Sequence, residues 1–389
     1  MSDEAADRRW AYLPIELLQI IGKHLDRPVD VFRFRAVCTS WRSSIPQSFN
    51  KSNLILFKLP RPIPVEAFLS PVTFCRLEFA TDEVQNKSRS YSTTSPNRTC
   101  LTKVEQSING EIQLLIPLSN RHIRLSPGTH PKTLNSLNFR LIELTRGCNF
   151  KLANGRPVLG INKVVRFCNK NSFLSIFHEG KLGYYKIGDE NWTLLDELNF
   201  NYDDIILYKG QFYVVDRTGT VYWIDSSLNM IQYSPRLYGC GDRKNLVESG
   251  GDLYIVDRYF DGERRKWEDN QEGELYNRFH ESFRVRNFPK CRAKSVDVKV
   301  YKLDEEWGTW VDVKSLGDRV FVIGNECCFS DSVDEFGNCV YFTDPYDEDV
   351  RGEIGGYEAS VFRLADRTIG KAINFHGFSQ ILWPHLLPS

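Results

Sequence analysis

The chain lacks any apolar run approaching the roughly 18 residues that a membrane-crossing helix needs, and that excludes a helical span. Its opening segment, Met1 to Arg9, is charged and no apolar core follows it, so no secretory leader is expected. Methionine is scarce, with 2 residues, and none of the 10 cysteines forms a C-x-x-C pair. Dispersed cysteines without a leader predict reduced thiols, buried as small hydrophobes, in a protein of the nucleus and/or cytoplasm. Neither sign of charge is in excess: Lys plus Arg is 50, Asp plus Glu is 50, and the formal net charge is +0. That balance argues against a nucleic-acid binder, which usually carries a strongly basic domain. A membrane partner is likewise not expected.

What is abundant is aromatic. Phe, Tyr and Trp make up 13% of the 389 residues, and such side chains suit the half-buried surface of strands. From Ile112 onward, short β-type runs alternate with turns rich in Gly, Asp, Asn and Pro, and no long amphipathic helix interrupts them. A turn followed by an apolar strand ending in Asp recurs at 209–216, 250–257 and 337–344. Asp216 and Asp257 are 41 residues apart, close to the length of one propeller blade. A second phrase recurs at Val221-Tyr222-Trp223-Ile224, Val300-Tyr301-Lys302-Leu303 and Val361-Phe362-Arg363-Leu364. Twice, a tyrosine-bearing strand is followed by a tryptophan, Trp192 and Trp310. The expected fold is mostly β, a β-propeller of about six or seven degenerate blades, with a sandwich or irregular barrel as the alternative.

The first 45 residues read differently. Pro14 suits the first turn of a helix, and Glu16 then sits near its positive end. At helical spacing Leu17, Leu18, Ile21 and Leu25 form one stripe, with Ile15 and Ile20 outside it. Pro28 marks a break, Asp30 can cap a second helix through Phe32, Phe34 and Val37, and Trp41 belongs to a short third helix. Three such helices are too small to enclose all these side chains. The surplus apolar surface must meet either the rest of the chain or a partner.

The run Leu13-Pro14-Ile15-Glu16-Leu17-Leu18, then Ile21, Leu25, Pro28, Asp30, Phe32, Arg35, Val37-Cys38 and Trp41-Arg42, resembles the F-box. The resemblance implies a helical module at 10–48 that docks on the Skp adaptor and, through it, on the cullin of a Skp–cullin–F-box (SCF) ubiquitin ligase. It implies that Leu13, Pro14, Leu17, Leu18, Ile21 and Leu25 meet the adaptor, while Val37, Cys38 and Trp41 hold the module together and complete the contact. The phrases Gly110 to Leu118, Gly337 to Asp344, Val361-Phe362 and Ile381-Leu382-Trp383-Pro384 are similar to the plant domain of unknown function 295, the KIB-type β-propeller. On that reading 49–71, with Pro60, Pro62, Pro64 and Pro71, is a proline-rich linker or first strand, and 72–389 is the propeller.

Catalytic signatures are missing. There is no G-x-S-x-G, H-E-x-x-H, G-x-x-x-x-G-K-S/T or G-x-G-x-x-G. The 7 histidines are scattered, and adjacent Cys327-Cys328 have poor geometry for zinc. The acidic stretch at Asp344, Asp347, Glu348 and Asp349 misses the calcium-loop spacing. No catalytic, cofactor-binding or metal residue is therefore expected. The chain reads as a non-catalytic substrate receptor whose propeller binds an unidentified target protein. The alternatives are an adaptor-binding module that sequesters or scaffolds its target without promoting degradation, and an enzyme built on a propeller. A mixed-charge segment at 258–295 and a Ser/Thr-rich one at 86–99 read as long surface loops, and the sharper reading of the first is a target-contacting loop.

Overall fold

Strands that are apolar on both faces need packing on both faces, and this chain has many. Ser172–Phe177 is buried along its whole length, as are the central residues of Gln211–Asp216 and all of Cys339–Phe342. Such continuous runs differ from the in–out alternation of a sheet with one wet face. They require each sheet to be sandwiched between two others.

A computed structural model describes residues 10, 12–25, 28–45, 56–59, 66–79, 99–106, 112–118, 139–155, 158, 161–167, 170–177, 180–196, 201–237, 239, 241–260, 294–333, 337–344 and 359–374. Three short helices come first: α1 (Ile15–Lys23), α2 (Pro28–Ala36) and α3 (Thr39–Ser44). Five fans of strands follow. Fan one holds β1 (Leu56–Lys58), β2 (Glu66–Phe79), β3 (Thr99–Gln106), β4 (Ile112–Leu115) and β5 (Phe139–Lys151), in the order β4-β3-β2-β5, with β1 on the start of β2. Fan two is β6 (Ile161–Phe167), β7 (Ser172–Phe177), β8 (Lys181–Lys186) and β9 (Thr193–Leu195). Fan three is β10 (Tyr202–Tyr208), β11 (Gln211–Asp216), β12 (Val221–Ile224) and β13 (Met230–Gln232). Fan four is β14 (Arg243–Ser249), β15 (Asp252–Phe260), β16 (Ser295–Asp304) and β17 (Thr309–Val313).

Fan five comprises β18 (Arg319–Ile323), β19 (Cys328–Ser332), β20 (Cys339–Phe342), β21 (Ser360–Arg363) and β22 (Thr368–Lys371), in the order β19-β18-β20-β21-β22. Its β18–β20 pair is parallel. The other described pairs in the five fans are antiparallel, and one bridge, Cys148 to Val164, links fan one to fan two.

The fans meet in a ring through five apolar seams. Phe57, Leu69 and Phe150 of fan one pack on Phe173 and Phe177 of fan two. Leu174 and Ile176 meet Ile205, Phe212 and Val214 of fan three. Tyr213 and Val215 meet Leu246, Leu253 and Ile255 of fan four. Val256 and Val300 meet Phe321, Val340 and Phe362 of fan five. Val72, Phe74 and Leu101 of fan one then pack on Val320, Val322 and Tyr341 of fan five, and the ring returns to its start. The two tryptophans of the degenerate repeat serve seams: Trp192 lies edge-on to Phe177 at 5.2 Å, and Trp310 Nε1 donates to Pro235 O at 3.0 Å.

Polar groups fill the axis where the inner strands converge. Asp204 of β10 accepts from Lys163 Nζ of β6 at 2.6 Å and from the Leu246 amide of β14 at 2.9 Å, and Cys328 Sγ of β19 lies 3.5 Å away. One carboxylate thus ties four fans. Glu326 completes the circle, accepting from Lys103 Nζ at 2.7 Å and Asn149 Nδ2 at 2.8 Å, both of fan one. Gly147 permits this approach, because a Cβ there would lie 2.9 Å from the Glu326 carbonyl oxygen. Burial alone would lower the pKa of Lys163, but Asp204 and Cys328 outweigh it and the ammonium is held charged. Burial pushes Glu326 up, yet Lys103 and the hydrogen bonds win and its pKa is lowered.

The mostly β propeller expectation holds, and the described residues account for five fans. The segments 80–98, 119–138 and 261–293 lie outside the described residues. Within 49–71, expected as a proline-rich linker or first strand, the described residues are strand β1, Leu59 and the start of β2. β1 and the start of β2 pair with each other inside fan one. Pro71 stands where β2 has left β1 and not yet met β3, a position that tolerates a missing N–H. The 86–99 loop, apart from Thr99, and most of 258–295 lie outside the described residues, as does the phrase at 381–384.

Breaking one partner of the axial pairs should cost about 3–5 kcal/mol, because a charge is left buried without its counter-ion. Glu326→Gln should therefore lower the urea midpoint at neutral pH. The gap from wild type should close as pH falls through the lowered Glu326 pKa, since the native carboxylate is then protonated too. Burial raises the pKa values of Asp203, Asp257 and Asp331, which shifts absolute stability oppositely, so the difference between the two proteins is the quantity to measure. A gap independent of pH would contradict this assignment.

Candidate protein-docking interface

The helical module is held by a few specific contacts. Pro14 is extended and precedes α1 as its N-cap, rather than sitting in its first turn. Pro28 is the first residue of α2, so Asp30 occupies the first turn and pairs with Arg33 at 3.1 Å instead of capping the helix. Cys38 is extended and starts α3. Two arginines clasp the opposing helix ends. Arg35 Nη1 donates to Arg42 O at 2.9 Å and Ile45 O at 2.6 Å, and Arg42 Nε donates back to Arg35 O at 3.2 Å. These bonds satisfy carbonyls that a short helix leaves open at its C-terminus. Trp41 stacks tilted on Phe34 at 4.6 Å, and its Nε1 donates to Trp10 O at 3.0 Å. At Gly22 a Cβ would overlap Ile45 Cγ2, so this glycine lets the segment after α3 close on α1.

The module's small core consists of Leu18, Val31 and Phe34. Leu18 is 1% exposed, so it departs from the expectation that it meets a partner. Helical geometry gives the reason: the direction of Leu18 and Gly22 is the one that faces α3. The rest of α1 remains uncovered. Leu17 is 47% exposed, Ile20 51% and Ile21 38%, and Ile15 is exposed as well. Pro14 and Val37 are exposed, while Leu13, Leu25, Cys38 and Trp41 are half-buried. Trp10 and Tyr12, just upstream, are also exposed. Position 15 to 21 therefore offers apolar side chains on more of the helix than the Leu stripe alone suggested. Such a cluster is typical of a surface that another protein completes.

Among the described residues nothing comparable gathers reactive side chains. Among the described residues, no three His, Cys, Asp or Glu are placed to hold a metal ion. The thiols of Cys327 and Cys328 are buried, and burial raises both, that of Cys328 to about 12. Asp344 accepts from the Ser295 amide and hydroxyl. Asp347, Glu348 and Asp349 lie outside the described residues, as do all histidines except His24.

Comparison with known proteins follows these lines. The family described as KIB1-4 beta-propeller matches residues 68–363. The F-box protein At1g65770 of Arabidopsis thaliana is 33% identical over 86% of this chain and 89% of its own length. F-box protein SKIP23 of the same plant is 28% identical over 96% of this chain and 94% of its own. F-box protein At2g17690 is 29% identical over 92% and 95%.

Two neighbouring leucines should behave oppositely. Leu18→Ala should destabilise the helical module by about 2–5 kcal/mol, read as faster amide exchange across α1 and α3. Leu17→Ala should leave that exchange within about 0.5 kcal/mol of wild type. Equal effects would mean the two faces of α1 are assigned wrongly.

Proposed function

The chain belongs to the KIB1-4 beta-propeller family and is a plant F-box protein, and from this we propose that it is the substrate receptor of an SCF ubiquitin ligase. The helical module docks on the Skp adaptor, which links it to a cullin. The propeller carries the target protein. The observation that supports this most directly is the apolar face of α1, with Leu17, Ile20 and Ile21 open on a module whose inner contacts are already made. Leu13, Pro14, Leu17, Ile21 and Leu25 form the adaptor contact, Val37 adds to it, and Cys38 and Trp41 position it. Leu18 supports the helix from inside.

The receptor needs no nucleophile of its own. Its contribution is proximity: a target lysine held near a charged ubiquitin carrier reacts at a raised effective concentration. The balanced composition fits a protein partner on the propeller, in the nucleus or cytoplasm.

Leu17→Asp, or Leu13→Ala combined with Pro14→Ala, should abolish co-purification of the Skp adaptor while the melting of the propeller is unchanged. Burying a carboxylate in an apolar interface costs several kcal/mol, enough for a loss of a hundredfold or more in affinity. Undiminished adaptor binding by a folded Leu17→Asp protein would remove the docking surface from the reading.

A further inference from the structure

The helical module does not hang from the propeller by its linker alone. Helix α2 lies against β3 of fan one. Across that contact Arg33 Nη2 donates to the Leu141 carbonyl of β5 at 2.7 Å, between residues 108 apart in the chain. The same guanidinium holds Asp30 Oδ1 through Nη1 at 3.1 Å, one turn earlier on α2. A fork that grips its own helix with one nitrogen and a foreign strand with another fixes direction as well as distance.

The patch under this contact stands apart from the five seams. Cys75 and Val104 are buried, with Leu114 and Leu141 packed beside them. Burial, with Glu143 adding and the charge of Arg33 opposing, raises the Cys75 thiol to about 12. Leu141, which packs on this patch, is the residue whose carbonyl Arg33 holds. On the helical side Val31 and Phe34 are buried.

We infer that Arg33 is a positioning residue, locking the docking helices to fan one so that the module and the propeller keep one mutual orientation. This rests on the receptor reading for its purpose, since a fixed orientation sets where a propeller-bound target sits relative to the adaptor. The lock itself rests only on the contacts of this chain.

The test uses the full chain, free and bound to the Skp adaptor. In Arg33→Ala, amide exchange over 29–36 and 139–145 should accelerate about tenfold, the effect of losing a charge-assisted hydrogen bond. Solution scattering should show a longer maximum dimension, and adaptor affinity should stay within about twofold. Arg33→Lys should restore only part of the protection, because a single ammonium cannot hold both acceptors in the fork geometry. If Arg33→Ala fails to fold, Asp30→Asn carries the test, with a smaller acceleration confined to the same segments. Wild-type exchange and scattering in a folded Arg33→Ala or Asp30→Asn protein would overturn the lock. Failure of the wild-type chain to bind the adaptor would instead strike the receptor reading and leave the exchange result to decide the lock.

Discussion

Every fan in this molecule has two apolar faces, and a sheet of that kind is stable only between two others. That requirement produces the ring. Five fans supply five seams, and the last, where Val320, Val322 and Tyr341 meet Val72, Phe74 and Leu101, joins the end of the chain to its beginning. The outer edge strands β9 and β13 are short, 3 residues each, and short edges resist pairing with other chains. The axial charges are consistent with the same constraint. Inner strands bring buried polar side chains together, so Asp204 and Glu326 must each satisfy more than one donor from neighbouring fans.

The helical module follows the opposite logic. It is too small to bury what it carries, and its structure divides the load three ways. Leu18, Val31 and Phe34 fill a minimal core. The underside of α2 rests on fan one through Arg33. The remaining apolar face of α1 stays open. A cap on the main domain and a docking module were competing readings of this segment, and the geometry contains elements of both. The propeller contact sets how the open face is presented.

Much of this was legible in the residues. The degenerate repeat marks equivalent hairpins: Lys209-Gly210 and Gly250-Gly251 turn from the first to the second strand of fans three and four, with positive φ at each of these positions. Trp192 and Trp310, noticed only for following similar strands, prove to be seam residues. Which fan packs on which was not legible, because a repeat marks equivalent hairpins without saying which faces meet. Nor was the inward turn of Leu18. Helical periodicity places it in a stripe with Leu17 and Ile21, and only the position of α3 decides which edge of that stripe is covered.

Local order and pattern belong to the sequence: the L-P-x-E-L-L helix start, the apolar strands, the glycine turns and the absence of catalytic signatures. These depend on neighbours a few residues away, and such neighbours are always present. Ring closure, the Asp204 and Glu326 hubs and the Arg33–Leu141 lock join residues from about 40 to more than 200 positions apart. No short-range rule specifies such pairs, because their partners are chosen by which faces remain unburied once every local element has formed.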